Sequence, residues 1–292
     1  MARNKAMQTP ISRRPVSRRR VLSATTAYSL LTGVSPAIWS LHPARAEGAA
    51  GTFTDGIAIS GGHFTASEAD YLLADILPPR LSSPEAAPAC RLVQSYLDNG
   101  AVFHDTMPLD RWGRRVGRLV RAETPRSADA TSVHDAALAL VEKGLAIVMP
   151  QTEDVDGLYA LLAAEDRARA EGAGLWSRDD APIYDAADFV PYHGYRLIEG
   201  KIRSAAERRT RLFLNFGEDY RTDATASAPR RLMRQWSKRY ADDSRSFWSH
   251  IGEDVEAIVG YDVVVRGYVA ALNGPSVALS HPMQITFKHR TG

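Results

Sequence analysis

The residues best suited to chemistry are the basic side chains between residues 196 and 239. This segment holds twelve Lys or Arg against five Asp or Glu, although the chain after residue 46 is acidic as a whole. The spacing predicts that some of these cations lie on or beside one strand hairpin and that the others lie on a helix. The predicted binding group is Arg203, Arg208, Arg209, Arg211, Arg230, Arg231 and Arg234.

Aromatic side chains are interleaved with the first part of this basic group. They are Tyr195, Phe213, Phe216 and Tyr220. Cations that contact phosphates, beside rings that stack on bases, are a common way of holding single-stranded nucleic acid. The sequence therefore predicts a surface for single-stranded nucleic acid or another polyanion. An acidic polysaccharide or anionic lipid headgroups would meet the same cations, and a solvated charged face is the structural alternative.

Histidine and cysteine indicate no second chemical centre. The histidines show no metal-ligand spacing, and no Gly-rich phosphate loop follows a strand. Cys90 is the only cysteine, so neither an intrachain disulfide nor a thiolate metal cluster can form. No cofactor is expected on these grounds.

The first 46 residues have the organisation of an export signal. They carry eight basic side chains and no acidic one, whereas the remainder has a net charge near −6. Arg18 and Arg19 resemble the pair of a twin-arginine signal, a mild apolar run follows, and the pattern Ala-x-Ala ends at Ala46. We expect recognition by the twin-arginine export machinery, a periplasmic or secreted location and no transmembrane domain in the mature chain. An uncleaved N-terminal anchor and a cytosolic protein with a basic tail are the alternatives.

The elements that would position these residues fall into two halves. Apolar periodicity and Gly or Pro boundaries predict helices over 84–98, 135–143, 155–171 and 230–240. In the third of these, Leu158, Leu161, Leu162, Glu165 and Ala168 share one face. Strands are predicted over 71–76, 101–106, 114–121, 145–149, 195–204, 211–216, 222–228, 262–271 and 276–279, with a weak strand pair around a turn at 61–62.

The order of these elements predicts a mainly β fold with helices, of the α+β class. In the second half, a helix between the third and fourth of five strands is the order of an oligonucleotide/oligosaccharide-binding (OB) barrel. We therefore expect two small barrels. The predicted divisions are a signal at 1–46, a first domain at 47–178, a linker at 179–193 and a second domain at 194–288.

Three motifs in the first half resemble staphylococcal-nuclease-like (thermonuclease) domains. They are DRWGR at 110–114, LVEKGLA at 140–146, and the helix from Leu161 to Arg169 followed by GLW at 174–176. Together they give a specific signal over roughly residues 52–178, which implies an OB barrel of that family. The second half resembles the domain that follows the nuclease domain in many bacterial members, through LNFGEDY at 214–220, VRG at 265–267 and NGP at 273–275.

The family resemblance implies calcium-dependent hydrolysis of phosphodiester bonds. Carboxylates hold the ion and orient the attacking water, and two arginines neutralise the charge that develops on the phosphate. This sequence departs from that pattern, because Ile57 and Leu77 stand where metal ligands belong, Leu72 replaces an arginine and Arg80 replaces the catalytic glutamate. Only Arg114 keeps its type, and it has an alternative role as a turn residue packed on Trp112.

Two functions follow as competing expectations, and a third alternative is a polyanion-binding protein whose second domain holds the ligand while the first is structural. The first is an exported, catalytically degenerate nuclease-like protein that acts as a binding or scaffold module, for nucleic acid or another polyanion. The second is an active secreted nuclease in which Asp55, Asp70 or Asp75 replaces the missing ligands, and Ca²⁺ would be its cofactor.

Overall fold

The computed structural model describes residues 51–53, 55–121, 135–188, 190–191, 193–219, 221–251 and 254–288. The predicted export signal, with Arg18, Arg19 and Ala46, lies outside these residues, as does Tyr220. The fold is of the predicted α+β class, with β-strands predominating over helices. Within the described ranges no helix is both long and apolar enough to span a bilayer.

The first lobe, residues 51–178, is organised around one sheet. Its strands are β1 Gly51–Thr52, β2 Ile57–Ser60, β3 His63–Ala66, β4 Ala69–Leu73, β5 Ile76–Leu77, β6 Val102–Met107, β7 Arg115–Val120 and β8 Ile147–Val148. Six of them form a sheet in the order β1-β6-β7-β4-β3-β2, and β5 pairs separately with β8. Only the β4–β7 pair of this six-stranded sheet is parallel.

The helices of the first lobe bury the apolar faces that the sequence predicts. They are α1 Ala86–Asp98, α2 Ala136–Glu142 and α3 Val155–Ala170, followed by a 3₁₀ helix at Gly174–Ser177. In α1 the buried residues Ala89, Val93, Tyr96 and Leu97 recur at helical spacing and pack on the sheet. The helix α1 ends where Gly100 takes a left-handed φ of 68°, which favours glycine.

The second lobe, residues 183–288, contains an eight-stranded sheet. Its strands are β9 Ile183–Asp185, β10 Tyr195–Lys201, β11 Ser204–Glu207, β12 Arg211–Asn215, β13 Thr225–Pro229, β14 Asp262–Ala271, β15 Pro275–Ala278 and β16 Ile285–Phe287. The order is β11-β12-β13-β15-β14-β10-β9, with β16 also beside β14. The helix α4 Arg230–Arg239 follows β13, and 3₁₀ helices lie at Phe247–His250, Val255–Ile258 and Pro282–Gln284.

Three predicted elements differ from the structure. The strand predicted over 195–204 breaks at Ile202, whose N–H bonds to the carbonyl of Tyr261, so that β10 pairs with β14 and β11 pairs with β12. The strand predicted over 71–76 is interrupted at Asp75, which has a left-handed φ of 62° and separates β4 from β5. The segment predicted as a linker contains β9, which adds a parallel strand beside β10.

Residues 45–292 form one compact unit, in which the two lobes share a buried junction. Ile147, Ala168 and Trp176 from the first lobe pack with Leu197 and Val264 from the second. A buried ion pair crosses the same junction, because Arg266 Nη1 on β14 donates to Glu165 Oε2 on α3 at 2.6 Å. The lobes are therefore joined by a buried apolar cluster and a buried ion pair.

Candidate functional site

Asp75, a predicted substitute for a missing catalytic acid, is a buried structural clamp. Only 6% of its surface is exposed. Its Oδ1 accepts from the backbone N–H groups of Gln151 and Thr152 at 2.7 and 2.8 Å, and its Oδ2 accepts from Thr152 Oγ1 at 2.6 Å. A carboxylate has about four acceptor sites. Three of them hold the loop after β8, so little of this group is left for a metal ion or a water nucleophile.

The other two predicted acids are also engaged in local contacts. Asp55 Oδ2 accepts from Ser67 N at 2.7 Å and stabilises the turn between β3 and β4, where Ser67 and Glu68 both have positive φ. Asp70 Oδ1 lies 2.9 Å from His63 Nε2 across the β3–β4 pair. Both acids therefore support this hairpin.

Arg114 makes the contacts of its structural alternative. Its Nε and Nη2 lie 2.8 and 2.7 Å from Asp110 Oδ2, and its backbone N–H donates to Asp110 Oδ1 at 2.9 Å. Its guanidinium carbon is 4.7 Å from the centre of the Trp112 ring, and that of Arg111 is 3.8 Å from the same ring. These contacts fix the β6–β7 turn.

A second set of carboxylates surrounds Arg118 on β7. Its Nε donates to Asp135 Oδ2 at 2.5 Å, and its Nη1 donates to Asp154 Oδ2 at 2.7 Å. The other oxygens of these acids cap α2 and α3, through Ala137 N and Gly157 N. Burial alone would lower the pKa of Arg118, but the attraction of its acidic neighbours raises it. Asp135 and Asp154 are thus helix caps that already share the cation Arg118. The positive charge of Arg118 would oppose a metal ion at the same place.

The positions that depart from the family pattern offer no ligands either. Ile57 is exposed on β2, Leu72 is partly buried on β4 and Arg80 is exposed after β5. In the part of the chain that the structure describes, no three His, Cys, Asp or Glu residues come close enough to hold a metal ion together. Among the described residues, these positions and the acids near them therefore supply no ligand set for the calcium ion that the family chemistry requires.

A different site is visible on the second lobe, where a cleft of about 700 Å³ lies over strands β11 to β15. Leu212 and Leu214 point into the core, so the alternate residues Phe213 and Asn215 lie on the opposite face. The strand pairing aligns two rows of residues across that face. One row is Ala206, Phe213, Ser227 and Ala278, and the next is Asn215, Thr225, Ser276 and Ala270. Most of this floor is small, which leaves room above it.

Aromatic and aliphatic side chains stand at the sides of the cleft. Tyr268 on β14 is 63% exposed, and its ring is held edge-on against Tyr195 with ring centres 5.4 Å apart. Phe213 on β12 is partly exposed, and Leu272 after β14 is exposed. The cleft therefore offers apolar rings to a ligand rather than a polar surface alone.

Two arginines of the predicted binding group line this cleft. Arg211 Nη2 donates to the carbonyl of Ser227 at 3.2 Å and lies 2.8 Å from Ser227 Oγ, so its guanidinium is oriented over the floor. Arg208 is exposed at the same end. Among the described residues its side chain has no hydrogen-bond or ion-pair partner. One end of the cleft is therefore cationic.

The other predicted arginines lie elsewhere. Arg230 and Arg234 on α4 both pair with Glu207, the second at 3.3 Å. Arg203, Arg209 and Arg231 are exposed but do not line the cleft. The predicted group is thus divided between a partly neutralised helix and the cleft.

Sequence reasoning selected two wrong rings and missed one. Tyr195 and Phe216 are buried and cannot form part of an open binding face. Tyr195 is covered because β10 lies at the lobe junction, where its hydroxyl donates to the carbonyl of Val148 at 3.0 Å. The ring that sequence reasoning missed is Tyr268. It interrupts a run of buried valines in β14, and this interruption of the apolar pattern could have indicated an exposed position.

Comparison with known families bears on the first lobe. Residues 83–178 match the family described as staphylococcal nuclease homologue, so this chain contains a staphylococcal-nuclease-like domain, as predicted. The match begins after β5 and does not include Asp55, Asp70 or Asp75. No curated protein shows significant similarity to the chain.

Proposed function

We propose that this protein, whose first lobe is a staphylococcal-nuclease-like domain, is exported and binds nucleic acid without hydrolysing it. The family match supports a nuclease-like, nucleic-acid-related function at the level of the domain. The finer proposal is that the lobe has become a binding or scaffold module. The observation that carries it is the engagement of Asp75 in three hydrogen bonds to the loop at 151–152.

The size of the missing contributions supports a loss of catalysis. A general base is worth about 10²–10⁴ in rate, and one group that stabilises developing charge is worth about 10²–10³. The family chemistry needs both, together with a bound metal ion. Here the nearest carboxylates are structural, and Arg114 is neutralised by Asp110. Among the described residues of this lobe, the acids and the arginine that the family reaction would use are already engaged in structural contacts.

The arginines of the second lobe support the binding part of the proposal. Nucleic acid is attracted by clustered cations, and the affinity falls as salt displaces them. Arg208 and Arg211 at the cleft, with the exposed Arg203, Arg209 and Arg231, provide such a surface. We therefore expect salt-sensitive binding to the second lobe.

A cleavage assay on the full-length protein tests the proposal. Plasmid DNA and labelled single strands are incubated with Ca²⁺, then with Mg²⁺, and with EDTA as the blank. We expect no metal-dependent cleavage, and we expect a salt-sensitive mobility shift of the single strands. Asp70→Asn is the informative variant, because Asp70 is exposed and its replacement leaves the core intact.

Metal-dependent cleavage that disappears in Asp70→Asn would refute the proposal and establish the alternative of an active nuclease. Cleavage that Asp70→Asn leaves unchanged, and that copurifies in variable amounts, would identify a contaminant. In that case the binding measurement on the same samples decides the proposal, because absence of any shift at low salt would refute it.

Export is a separate part of the proposal. It is supported by the paired arginines Arg18 and Arg19 and by the Ala-x-Ala pattern that ends at Ala46. We expect the protein in the periplasm or medium, with Glu47 as its first residue by mass spectrometry. Replacing Arg18 and Arg19 together by Lys should retain it in the cytoplasm. An intact N-terminus in the membrane fraction would instead establish an anchor.

A further inference from the structure

We infer that the cleft over β11 to β15 binds single-stranded nucleic acid, with unpaired bases stacked on Phe213 and Tyr268 and phosphates at Arg208 and Arg211. This inference deepens the proposed function and rests on it, because it locates the binding in the second lobe.

The separation of the two rings favours a strand over a single small molecule. Phe213 is on β12 and Tyr268 is on β14, with β13 and β15 between them. Neighbouring strands are about 4.8 Å apart, so the two side chains arise roughly 14 Å apart across the sheet. One base cannot stack on both rings. Two bases of the same strand can, because the small residues between the rings leave the floor open.

The charge of the cleft matches a nucleotide chain. Arg211 begins β12, two residues before Phe213, and Arg208 lies in the turn between β11 and β12, so a base on that ring would place its phosphate near guanidinium donors. Arg211 is already oriented by Ser227, which reduces the ordering needed on binding. Arg208 keeps its donors free among the described residues. A phosphate would therefore meet one positioned and one adaptable cation.

The polar residues of the floor suit the edges of bases. Thr225 Oγ1 lies 3.3 Å from Asn215 Oδ1, and Asn215 Nδ2 donates to Ser204 Oγ at 2.9 Å. These contacts hold the amide in place beside Thr225, and Ser276 lies opposite Thr225 on the next strand. Such a floor provides hydrogen-bonding groups without a code for one sequence. We expect weak sequence preference, as for other stacking sites.

Duplex nucleic acid does not fit this chemistry, because its base faces are stacked inside the helix and only phosphates and edges are accessible. The rings of the cleft would then have no partner. A lipid surface would use the arginines but has no planar group for the two rings. The combination of rings and cations is what selects an unpaired strand.

The test measures the binding of a fluorescein-labelled 12-nucleotide oligothymidylate to the full-length protein by anisotropy at several salt concentrations. Base stacking is worth about 1–3 kcal/mol per base, so Phe213→Ala and Tyr268→Ala should each weaken binding on the order of tenfold. Arg208→Gln should reduce the slope of log affinity against log salt by about 0.7, as expected for one phosphate contact on a single strand. Neither ring belongs to a buried core cluster, so both alanine variants should fold.

Arg167→Gln is the matched control for Arg208→Gln, because Arg167 is an exposed arginine on α3 in the first lobe. It should leave the affinity and the salt slope unchanged. A second readout uses 2-aminopurine in place of one base. Its fluorescence should be quenched on binding to the wild type and recover in Phe213→Ala or Tyr268→Ala, which a purely structural role of the rings would not produce.

Three results would overturn the inference. Unchanged affinity and quenching in both ring variants, with binding lost in Trp112→Ala, would place the ligand on the first lobe. That result would refute the expected second-lobe binding but not nucleic-acid binding by the protein. Thymidine monophosphate that competes as tightly as the 12-mer would show a free-nucleotide site. Anionic phosphatidylglycerol vesicles that bind through Arg208 while the oligonucleotide does not bind would identify a lipid surface and refute nucleic-acid binding as well.

Discussion

The buried ion pair between Arg266 and Glu165 provides the sharpest test of how the lobes are held together. Both side chains are shielded from solvent, with residue exposures of 1% and 0%. Glu165 Oε1 also accepts from Val148 N at 2.7 Å, so the carboxylate serves a strand and a cation together. Burial alone would lower the pKa of Arg266, but the negative charge of Glu165 raises it. The guanidinium therefore stays charged, and among the described residues Glu165 is the acid paired with it.

The perturbation is Glu165→Gln, which keeps the shape and one acceptor but removes the charge. Removing one partner of a buried pair costs about 3–5 kcal/mol, because it leaves an uncompensated buried charge. Because glutamine keeps one acceptor, we expect the free energy of unfolding to fall by about 3 kcal/mol, the lower end of that range. Urea denaturation at pH 7 measures it. Glu142→Gln is the matched control, since Glu142 pairs with Arg167 at 3.3 Å on the surface and should cost about 0–1 kcal/mol.

A double replacement separates charge from shape. Glu165→Gln with Arg266→Met removes both charges and keeps the acceptor for Val148 N, so it should recover most of the loss because no uncompensated buried charge remains. A single variant that loses no more than the Glu142→Gln control would refute the reasoning. A double variant as unstable as Glu165→Gln would show that shape, not charge, determines the junction.

Two further predictions concern the loop after β8. Asp75→Asn should lower the free energy of unfolding by about 2–3 kcal/mol, because hydrogen bonds to a buried charged group are worth about 1.5–3 kcal/mol. Asp70→Asn should change it by less than about 1 kcal/mol in the same urea titration, and equal losses would contradict the clamp. Burial lowers the pKa of His281, whose Nε2 lies 2.9 Å from the carbonyl of Thr152. The unfolded state then binds the extra proton, so stability should fall as the pH drops below about 6.5. His281→Gln should make the stability-against-pH curve flatter between about pH 7 and 5, and an unchanged slope would show that this histidine is not responsible.

The helices and most strands were predictable because residue spacing and boundary residues near in sequence determine them. The apolar residues of α3 recur at helical spacing, which predicts the helix. Both its start and its end lie within one residue of the prediction. Glu165 falls inside that stripe, and an acid among buried leucines indicates a buried partner. That partner is 101 residues away, and no local pattern identifies it. Periodicity thus predicts which face is buried, but not what covers it.

The proposed binding face was only partly predictable, for a related reason. The sequence identified Arg208, Arg211 and Phe213 because they fall on one hairpin. The break of the β10–β11 segment at Ile202 depends on a contact with Tyr261, far along the chain. That break sends β10 to the junction and buries Tyr195. Which face of the sheet Tyr268 lies on likewise depends on which strands pair with β14. Strand pairing is determined by tertiary structure, not by the local sequence.

The contacts of Thr152 explain why catalysis and architecture compete in the first lobe. Asp75 holds the N–H and hydroxyl of Thr152, while the carbonyl of Thr152 accepts from His281 in the second lobe. A metal ion that took the carboxylate of Asp75 would release the loop that carries this contact. The same oxygens cannot bind a divalent ion and keep the lobes connected through Thr152. Under the proposed loss of catalysis, recovering a nuclease from this chain would therefore require a new carboxylate near Arg114, with Asp75 left in place.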